Sequence, residues 1–149
     1  MGTPFKEVYQ MFLSKMSSYQ FVDFSDEELE DELEPYLEMA IGQFSLYCYK
    51  DIEKTDISSG SFDEKLSVLE KDILSDYMIV GYSTMMINDL EGMEQVLNSR
   101  EYRVYSEANY LDAKSKLRDK MSKTVNLKLS RYNYLSSGSG DMYDKLNHR

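Results

Sequence analysis

Cysteine and histidine are almost absent from this sequence. Cys48 is the only cysteine, and His148, the residue before the last, is the only histidine. A single cysteine excludes an internal disulfide and a zinc site made of several thiolates. Because His148 follows a stretch of serine and glycine, it has no fixed environment in which to act as a general base. We therefore predict no catalytic residue, no metal ligand and no bound cofactor.

Long apolar runs and phosphate-binding loops are also missing. No run approaches the roughly 18 apolar residues that a membrane-spanning helix needs, and no GxxxxGK[ST] pattern is present. The acidic run DEELEDELE at 26–34 falls on a predicted helix and lacks the D-x-D-x-D-G loop that calcium requires. The sequence thus predicts a soluble intracellular protein that is not an enzyme and has no membrane partner.

Positive charge is scarce as well, since 17 lysines and arginines stand against 27 acidic residues and give a net charge of −10. This balance argues against nonspecific binding of nucleic acid, which needs a cationic surface to neutralise phosphates. Ten methionines and 13 tyrosines are prominent among the hydrophobic residues. Both side chains are adaptable and common where protein surfaces meet, and a core rich in methionine and tyrosine is the alternative.

With only two prolines and seven glycines in 149 residues, long stretches are free to form helices. Apolar residues recur at helical spacing near the start of the chain, which predicts a helix over 4–18 with Thr3 as its N-cap. Ser25 and Glu28 have the spacing of a capping box and predict the start of a second helix. Pro35 lies inside that helix, and we expect it to kink or split the helix.

The middle of the chain has the composition of a surface loop at 53–63, followed by a helix over 64–88 that is apolar on nearly all sides. Such a helix is typical of the centre of a bundle, and we expect Gly81 within it to mark a close helix crossing. The segment NDLEG at 88–92 predicts a turn. MEQVLN at 93–98 predicts a short helix or a one-turn continuation.

The last helix is predicted to begin after Ser99, an N-cap residue, and to run for about eight or nine turns to Tyr132. Strand alternation of usable length is absent. The predicted fold is all-α, a bundle of four to five helices with a long C-terminal helix and a flexible C-terminal tail. We divide the chain into a helical domain, 1–135, and a tail, 136–149, that orders on partner binding.

Charges of opposite sign are concentrated on two of these helices, more strongly than the helix dipole requires. The acidic set on the second helix comprises Glu27, Glu30, Asp31, Glu34 and Glu38, and the basic set on the last helix comprises Lys116, Lys120 and Lys123. The two helices could pair within one molecule, pair between copies in a head-to-tail ring, or remain solvated. We assign the basic set to a contact between subunits, and the acidic set to such a contact or to a channel wall.

A Ser/Gly hinge at 136–140 separates the last helix from a tail that contains apolar residues. Met142, Tyr143, Lys145 and Leu146 are the candidate anchors for docking on a partner. Fraying of the chain terminus is the alternative. Ordering such a tail costs about 2–5 kcal/mol, which several tethered copies could offset through multivalency.

Several stretches resemble the small helical head–tail connector proteins, or adaptors, of tailed bacteriophages. The resemblance is carried by the central ILSDYMIVGYSTMMIND, by EGMEQVLNSREYRVYSEANYLDAKSKLRDKM and by LSRYNYL near the end. The opening PFKEVYQMFLSKM and the acidic LEDELEPYLEMAIGQF are similar to the N-terminal part of the same proteins. The likeness covers most of 4–135. Gly81-Tyr82 departs from it, because a tryptophan is frequent there in relatives.

The resemblance implies a structural virion protein. Adaptors of this kind form rings, commonly of twelve subunits, beneath the portal protein, where they extend the DNA channel and offer a platform to the next neck or tail-completion protein. The resemblance also implies that the tail docks on the portal and that the protein is found in the virion neck after assembly in the host cytoplasm. Genome DNA would pass through the channel without specific binding, because acidic groups on its wall repel phosphates.

An acidic regulatory or inhibitory protein, for example a phage-encoded DNA mimic that blocks a host enzyme, is the alternative function. Such a mimic needs acidic groups spread over its surface at phosphate-like spacing. Here the acids are concentrated on one helix while another helix is basic. The charge distribution therefore favours the adaptor.

Overall fold

The computed structural model describes residues 2–16, 25–96 and 108–136. Within these residues the chain is all-α, with four α-helices, a short 3-10 turn and no strand beyond an isolated bridge between Pro4 and Ser61. The helices are α1 (Phe5–Lys15), α2 (Asp26–Phe44), α3 (Val68–Val96) and α4 (Ala108–Ser136). The predicted all-α bundle with a long last helix is confirmed.

The first helix begins one residue later than predicted, at Phe5, and it ends at Lys15, before the predicted end at 18. The N-cap position is occupied by Pro4, and no side chain caps the helix. Thr3 instead accepts a hydrogen bond from the Leu66 amide through its hydroxyl, at 2.8 Å. The prediction of Thr3 as N-cap was wrong because its side chain is hydrogen-bonded to the connection between α2 and α3. Helix α1 packs into the core through Phe5, Val8 and Phe12.

The second helix begins at the predicted capping box. The Ser25 hydroxyl accepts a hydrogen bond from the Glu28 amide at 3.2 Å, and the Glu28 carboxylate accepts one from the Ser25 amide at 3.4 Å. The helix continues through Pro35, so the expected split does not occur. Burial of Leu33 and Leu37 on either side contributes about 1.5–3 kcal/mol each, which offsets the roughly 3 kcal/mol cost of an internal proline.

The connection between α2 and α3 is a loop, as predicted for 53–63, and it also closes one end of the core. Phe62 is buried, and its ring lies 4.9 Å from that of Phe5 in an edge-to-face arrangement. A 3-10 turn at Ile57–Ser59 ends at Gly60, whose φ of 76° lies in the left-handed region that favours glycine. The loop is therefore packed against α1 at this point.

Helix α3 differs from its prediction at both ends. A second capping box fixes its start, because the Ser67 hydroxyl accepts from the Glu70 amide at 3.2 Å and the Glu70 carboxylate accepts from the Ser67 amide at 2.7 Å. At the other end the helix runs through 88–92 to Val96, so the predicted turn was wrong. A glycine inside a helix costs only about 1 kcal/mol relative to alanine, which is too little to end a helix by itself.

The middle of α3 is the centre of the bundle, as its sequence predicted. This helix packs against α1, α2 and α4, whereas α2 and α4 have little direct contact with each other. The buried residues of α3 point in all directions around the helix and include Ile73, Leu74, Met78, Ile79 and Tyr82. Helix α4 packs against α3 through Val125, Leu129 and Tyr132. The predicted start of the last helix, at Ser99, lies outside the described residues.

A buried carboxylate joins three of the helices. Asp76 on α3 is fully buried and accepts hydrogen bonds from the ammonium groups of Lys15, at 2.8 Å, and Lys128, at 2.6 Å. Both lysines also pair with Asp72, one turn earlier on α3. The four charges therefore hold α1 and α4 against α3, and each lysine remains about a quarter exposed.

A second buried carboxylate, Glu70, joins α3 to α4 and to the connection after α2. It accepts hydrogen bonds from Tyr132 at 2.8 Å and from Lys50 at 2.6 Å. Burial raises the pKa of Glu70, but the hydrogen bonds from Lys50, the Ser67 amide and the tyrosine lower it by more. The net pKa of Glu70 thus lies below the ordinary glutamate value of 4.5.

We predict that Asp76→Asn lowers the free energy of unfolding by about 3 kcal/mol, because the two lysines then share the single charge of Asp72. Urea denaturation at pH 7 measures this loss. The control is Asp72→Asn, whose carboxylate is 26% exposed and whose loss should be smaller. A loss for Asp72→Asn as large as that for Asp76→Asn would contradict the central role of Asp76.

We predict that Glu70 makes the fold sensitive to acid. Because its pKa is lower in the folded chain than in the unfolded chain, ionised Glu70 stabilises the fold above about pH 4.5 and this contribution is lost as the pH falls through the folded pKa. Glu70→Gln should reduce stability at pH 7 and flatten the decline in stability below about pH 4.5. The control is Glu64→Gln at an exposed position, which should leave the dependence of the unfolding free energy on pH unchanged. The same unchanged dependence in Glu70→Gln would refute the prediction.

We predict that Gly81→Ala stabilises the chain by about 0.5–1 kcal/mol. A Cβ at Gly81 would lie 3.4 Å from the Cε of Met39 on α2, an ordinary contact with the end of a flexible side chain. The expected helix crossing is therefore looser than a glycine requires. A thermal melt measures the effect, and a fall in melting temperature on Gly81→Ala would show that the crossing is tight.

Candidate interaction surfaces

The acidic set lies along one side of α2. Glu27, Asp31, Glu34 and Glu38 follow one another at steps of four, three and four residues, which keeps them on one face of an α-helix. Glu30 lies beside this row. Glu34 is half-buried, and the other four residues are exposed. We call these five residues the acidic stripe.

The acidic stripe borders α1. Glu30, Asp31 and Glu34 line a shallow cleft of about 240 Å³ together with Lys6 and Tyr9. Burial raises the pKa of the Tyr9 hydroxyl, and the negative charges of four members of the acidic stripe raise it further. The negative potential is therefore concentrated at this edge of the bundle.

The basic set lies on the outer face of α4. Lys116, Lys120 and Lys123 are exposed and lie on the side of the helix opposite Val125, which is buried in the core. We call these three lysines the basic stripe. Leu127, which is 73% exposed, continues the same row by one further turn. This outer face thus combines positive charge with an apolar residue.

The two stripes do not pair with each other within the molecule. Across the described ranges, no lysine or arginine lies within ion-pair distance of the acidic stripe. In the basic stripe, Lys116 pairs with Asp112 one turn earlier in the same helix, at 2.9 Å. Both side chains of that pair are exposed, and such pairs contribute about 0–1 kcal/mol. Of the three alternatives for the charged helices, pairing within one molecule is the one that this geometry disfavours.

A groove of about 570 Å³ lies between α2, α3 and α4. Its apolar lining is provided by Met39, Tyr47, Tyr77, Val80 and Val125. Gly42 and Gly81 present no side chain to it, and a Cβ at Gly42 would meet no atom within 4 Å. The sequence analysis missed this groove, and its only sequence signal is a pair of glycines inside helices.

One end of the bundle carries large apolar side chains that remain exposed. Leu46 and Tyr49, which follow α2, are 75% and 53% exposed, and Tyr134 and Leu135 in the last turn of α4 are more than half exposed. The rings of Tyr49 and Tyr132 lie 5.5 Å apart, so these two segments meet. We call Leu46, Tyr49, Tyr134 and Leu135 the apolar end. Clustered exposed apolar residues mark sites of contact with other proteins.

Among the described residues, the interior holds two buried carboxylates and one half-buried thiol. The carboxylates of Asp76 and Glu70 are each hydrogen-bonded to a lysine, as described above. Burial raises the pKa of the Cys48 thiol, which reduces its fraction of nucleophilic thiolate. In the part of the chain that the structure describes, no three His, Cys, Asp or Glu side chains form a metal-binding group. None of the described helices is both long and apolar enough to cross a membrane.

The candidate anchors of the tail, Met142, Tyr143, Lys145 and Leu146, lie outside the described residues. Their docking on a partner stays a prediction. Helix α4 ends at Ser136, beside the apolar end, and the Ser/Gly hinge begins in the sequence at this residue.

Comparison of the chain with models of protein families, with curated proteins and with solved structures finds no match in any of the three. Evidence about its function therefore comes from the surfaces of the chain itself.

Proposed function

We propose that the chain is a structural protein that forms a ring, and that this ring is the head–tail adaptor beneath the portal of a tailed bacteriophage. The observation that carries the proposal is the pair of exposed stripes of opposite charge, which are unpaired with each other in the described molecule. In the ring, the acidic stripe of each copy faces the basic stripe of the next copy.

The stripes match in spacing as well as in charge. The acidic row has steps of four and three residues from Glu27 through Asp31 to Glu34, and the basic stripe has the same steps. Read backwards from Glu38 through Glu34 to Asp31, the acidic row again has steps of four and three. Two helices with these rows can therefore face each other in either direction with three pairs of opposite charge.

Such a contact joins two different surfaces and is therefore heterologous. Heterologous contacts repeat from copy to copy and close into a ring when the rotation between copies allows it. Exposed ion pairs contribute only about 0.2–1 kcal/mol each and weaken as salt rises. Three pairs are too weak to assemble the ring in solution by themselves, so we propose that assembly takes place on the portal.

The portal contact is proposed at the apolar end, where the tail leaves the bundle. Exposed apolar residues of the helices and the anchors Met142, Tyr143 and Leu146 would be presented there together. A ring of about twelve copies would offer as many tethered tails, and multivalency then offsets the ordering of each tail. The ring would extend the DNA channel and carry the next neck or tail-completion protein in the virion.

We predict that reversing the charge of the basic stripe abolishes the ring. The triple variant Lys116→Glu, Lys120→Glu and Lys123→Glu should retain its helicity by circular dichroism, because these side chains are exposed. It should not form rings on purified portal particles in negative-stain electron microscopy. Adding Glu27→Lys, Asp31→Lys, Glu34→Lys and Glu38→Lys to the same chain should restore the rings, because the pairs are then re-formed with exchanged signs in either direction of the helices.

A matched control reverses three exposed acids outside the stripe, Glu53, Asp63 and Glu64, and should leave assembly unchanged. Rings that persist in the basic-stripe variant would rule out the proposed contact between copies. A wild-type chain that stays monomeric in the presence of the portal would rule out the adaptor itself. Specific capture of a host nucleic-acid enzyme would favour the DNA mimic instead.

A further inference from the structure

We propose that the groove between α2, α3 and α4 is a binding site for the tail of the same chain, with Met142, Tyr143 and Leu146 as the inserted side chains. This inference is independent of the adaptor function, since it concerns a contact within one molecule. It assigns an occupant to a groove of about 570 Å³ that three helices line.

The lining of the groove suits an apolar segment. Met39 and Tyr47 stand at its edge with 45% and 46% of their surface exposed, and Val80 and Val125 lie deeper. No charged side chain is among the described residues that line it. Neutral polar side chains also line the groove, namely Gln43, Thr84, Ser122 and Asn126. Apolar side chains that displace water from the apolar part of the lining are favoured.

The groove is accessible to the tail from the end at which the tail leaves the bundle. Tyr47, which lines the groove, is two residues from Tyr49, and the ring of Tyr49 lies 5.5 Å from that of Tyr132. Tyr132 is one turn before Ser136, the last residue of α4. The mouth of the groove and the start of the tail therefore lie on the same side of the bundle.

The length of the tail fits this path. Asn126 is the last α4 residue that lines the groove, and it precedes Ser136 by ten residues, or about 15 Å at 1.5 Å per residue. Met142 follows Ser136 by six residues, which span up to about 20 Å when extended. Gly138 and Gly140 in the hinge allow the chain to reverse its direction. The first apolar residue of the tail can thus reach the groove.

The sequence of the tail has the matching pattern. Met142, Tyr143 and Leu146 are spaced as positions i, i+1 and i+4, which share one side of a helical turn. Asp144 and Lys145 fall between them and would point to solvent. The tether holds the tail at an effective concentration in the millimolar range, so even a weak site is occupied. A portal that binds the same side chains more tightly would then displace the tail from its own groove.

Paramagnetic relaxation in the full-length chain tests the inference. A nitroxide is attached through Asp144→Cys, in a chain that carries Cys48→Ser and is labelled with ¹³C at the methionine methyl groups. We expect the signal of the Met39 methyl group to lose most of its intensity. The Met11 methyl group, on a helix that does not line the groove, should keep most of its own. Equal effects on the two methyl groups would overturn the inference.

Two kinds of variant separate groove binding from chance proximity. Gly42→Trp fills the groove where a new side chain meets no atom, and it should restore the Met39 signal, whereas its control Gly42→Ala should not. The triple variant Met142→Ser, Tyr143→Ser and Leu146→Ser should also restore the signal without any change to the helices. If the Met39 signal stays suppressed in both, groove binding is wrong.

The same labels distinguish binding of the tail within one molecule from binding of the tail of a second molecule. A nitroxide-bearing chain without ¹³C is mixed with a ¹³C-labelled chain that has no nitroxide, and the inference requires that the Met39 signal keep its intensity. Suppression in this mixture that equals the suppression within one chain would show that the groove binds the tail of a second copy, which overturns the proposal.

Discussion

The fold depends on the neutralisation of one buried charge. Asp76 lies in the first half of α3, the most enclosed helix, and its carboxylate is stable there because Lys15 and Lys128 reach it from two other helices. Apolar faces can pack in several rotations, whereas a carboxylate that must meet two ammonium groups restricts how α1 and α4 lie against α3. A second buried carboxylate restricts the packing of α3 and α4 in the same way, because Glu70 near the start of α3 accepts a hydrogen bond from Tyr132 near the end of α4.

Fixing the inner faces of the helices also determines what remains outside. Once Val125 and Leu129 of α4 are buried against α3, the basic stripe points away from the core. Burial of Leu33 and Leu37 likewise leaves the acidic stripe at the surface. Glycines at 42 and 81 leave the groove between α2, α3 and α4 unfilled. The surfaces proposed to contact other copies and the tail are thus consequences of how the core is packed.

Much of the fold could be predicted from sequence because its signals are local. The Ser25 capping box, the loop at 53–63 and the enclosed character of α3 each depend on residues close together in the chain. Thr3 and the expected split at Pro35 were misjudged because tertiary contacts outweigh local preferences of about 1–3 kcal/mol. The segment 88–92 was misjudged because one glycine costs a helix only about 1 kcal/mol. The members of both stripes were predictable from helical spacing. The absence of pairing between them, and the groove, depend on helices distant in sequence.

The central claim is that the acidic stripe of one copy contacts the basic stripe of the next, and zero-length cross-linking tests it most directly. A carbodiimide joins a carboxylate to an amine only where the two groups touch. Rings assembled on the portal from an equal mixture of ¹⁴N and ¹⁵N chains would be cross-linked, digested and analysed by mass spectrometry. We expect α2 peptides joined to α4 peptides, with about half of the pairs mixed in isotope. Joined peptides that always share one isotope, or no α2–α4 link at all, would contradict the claim.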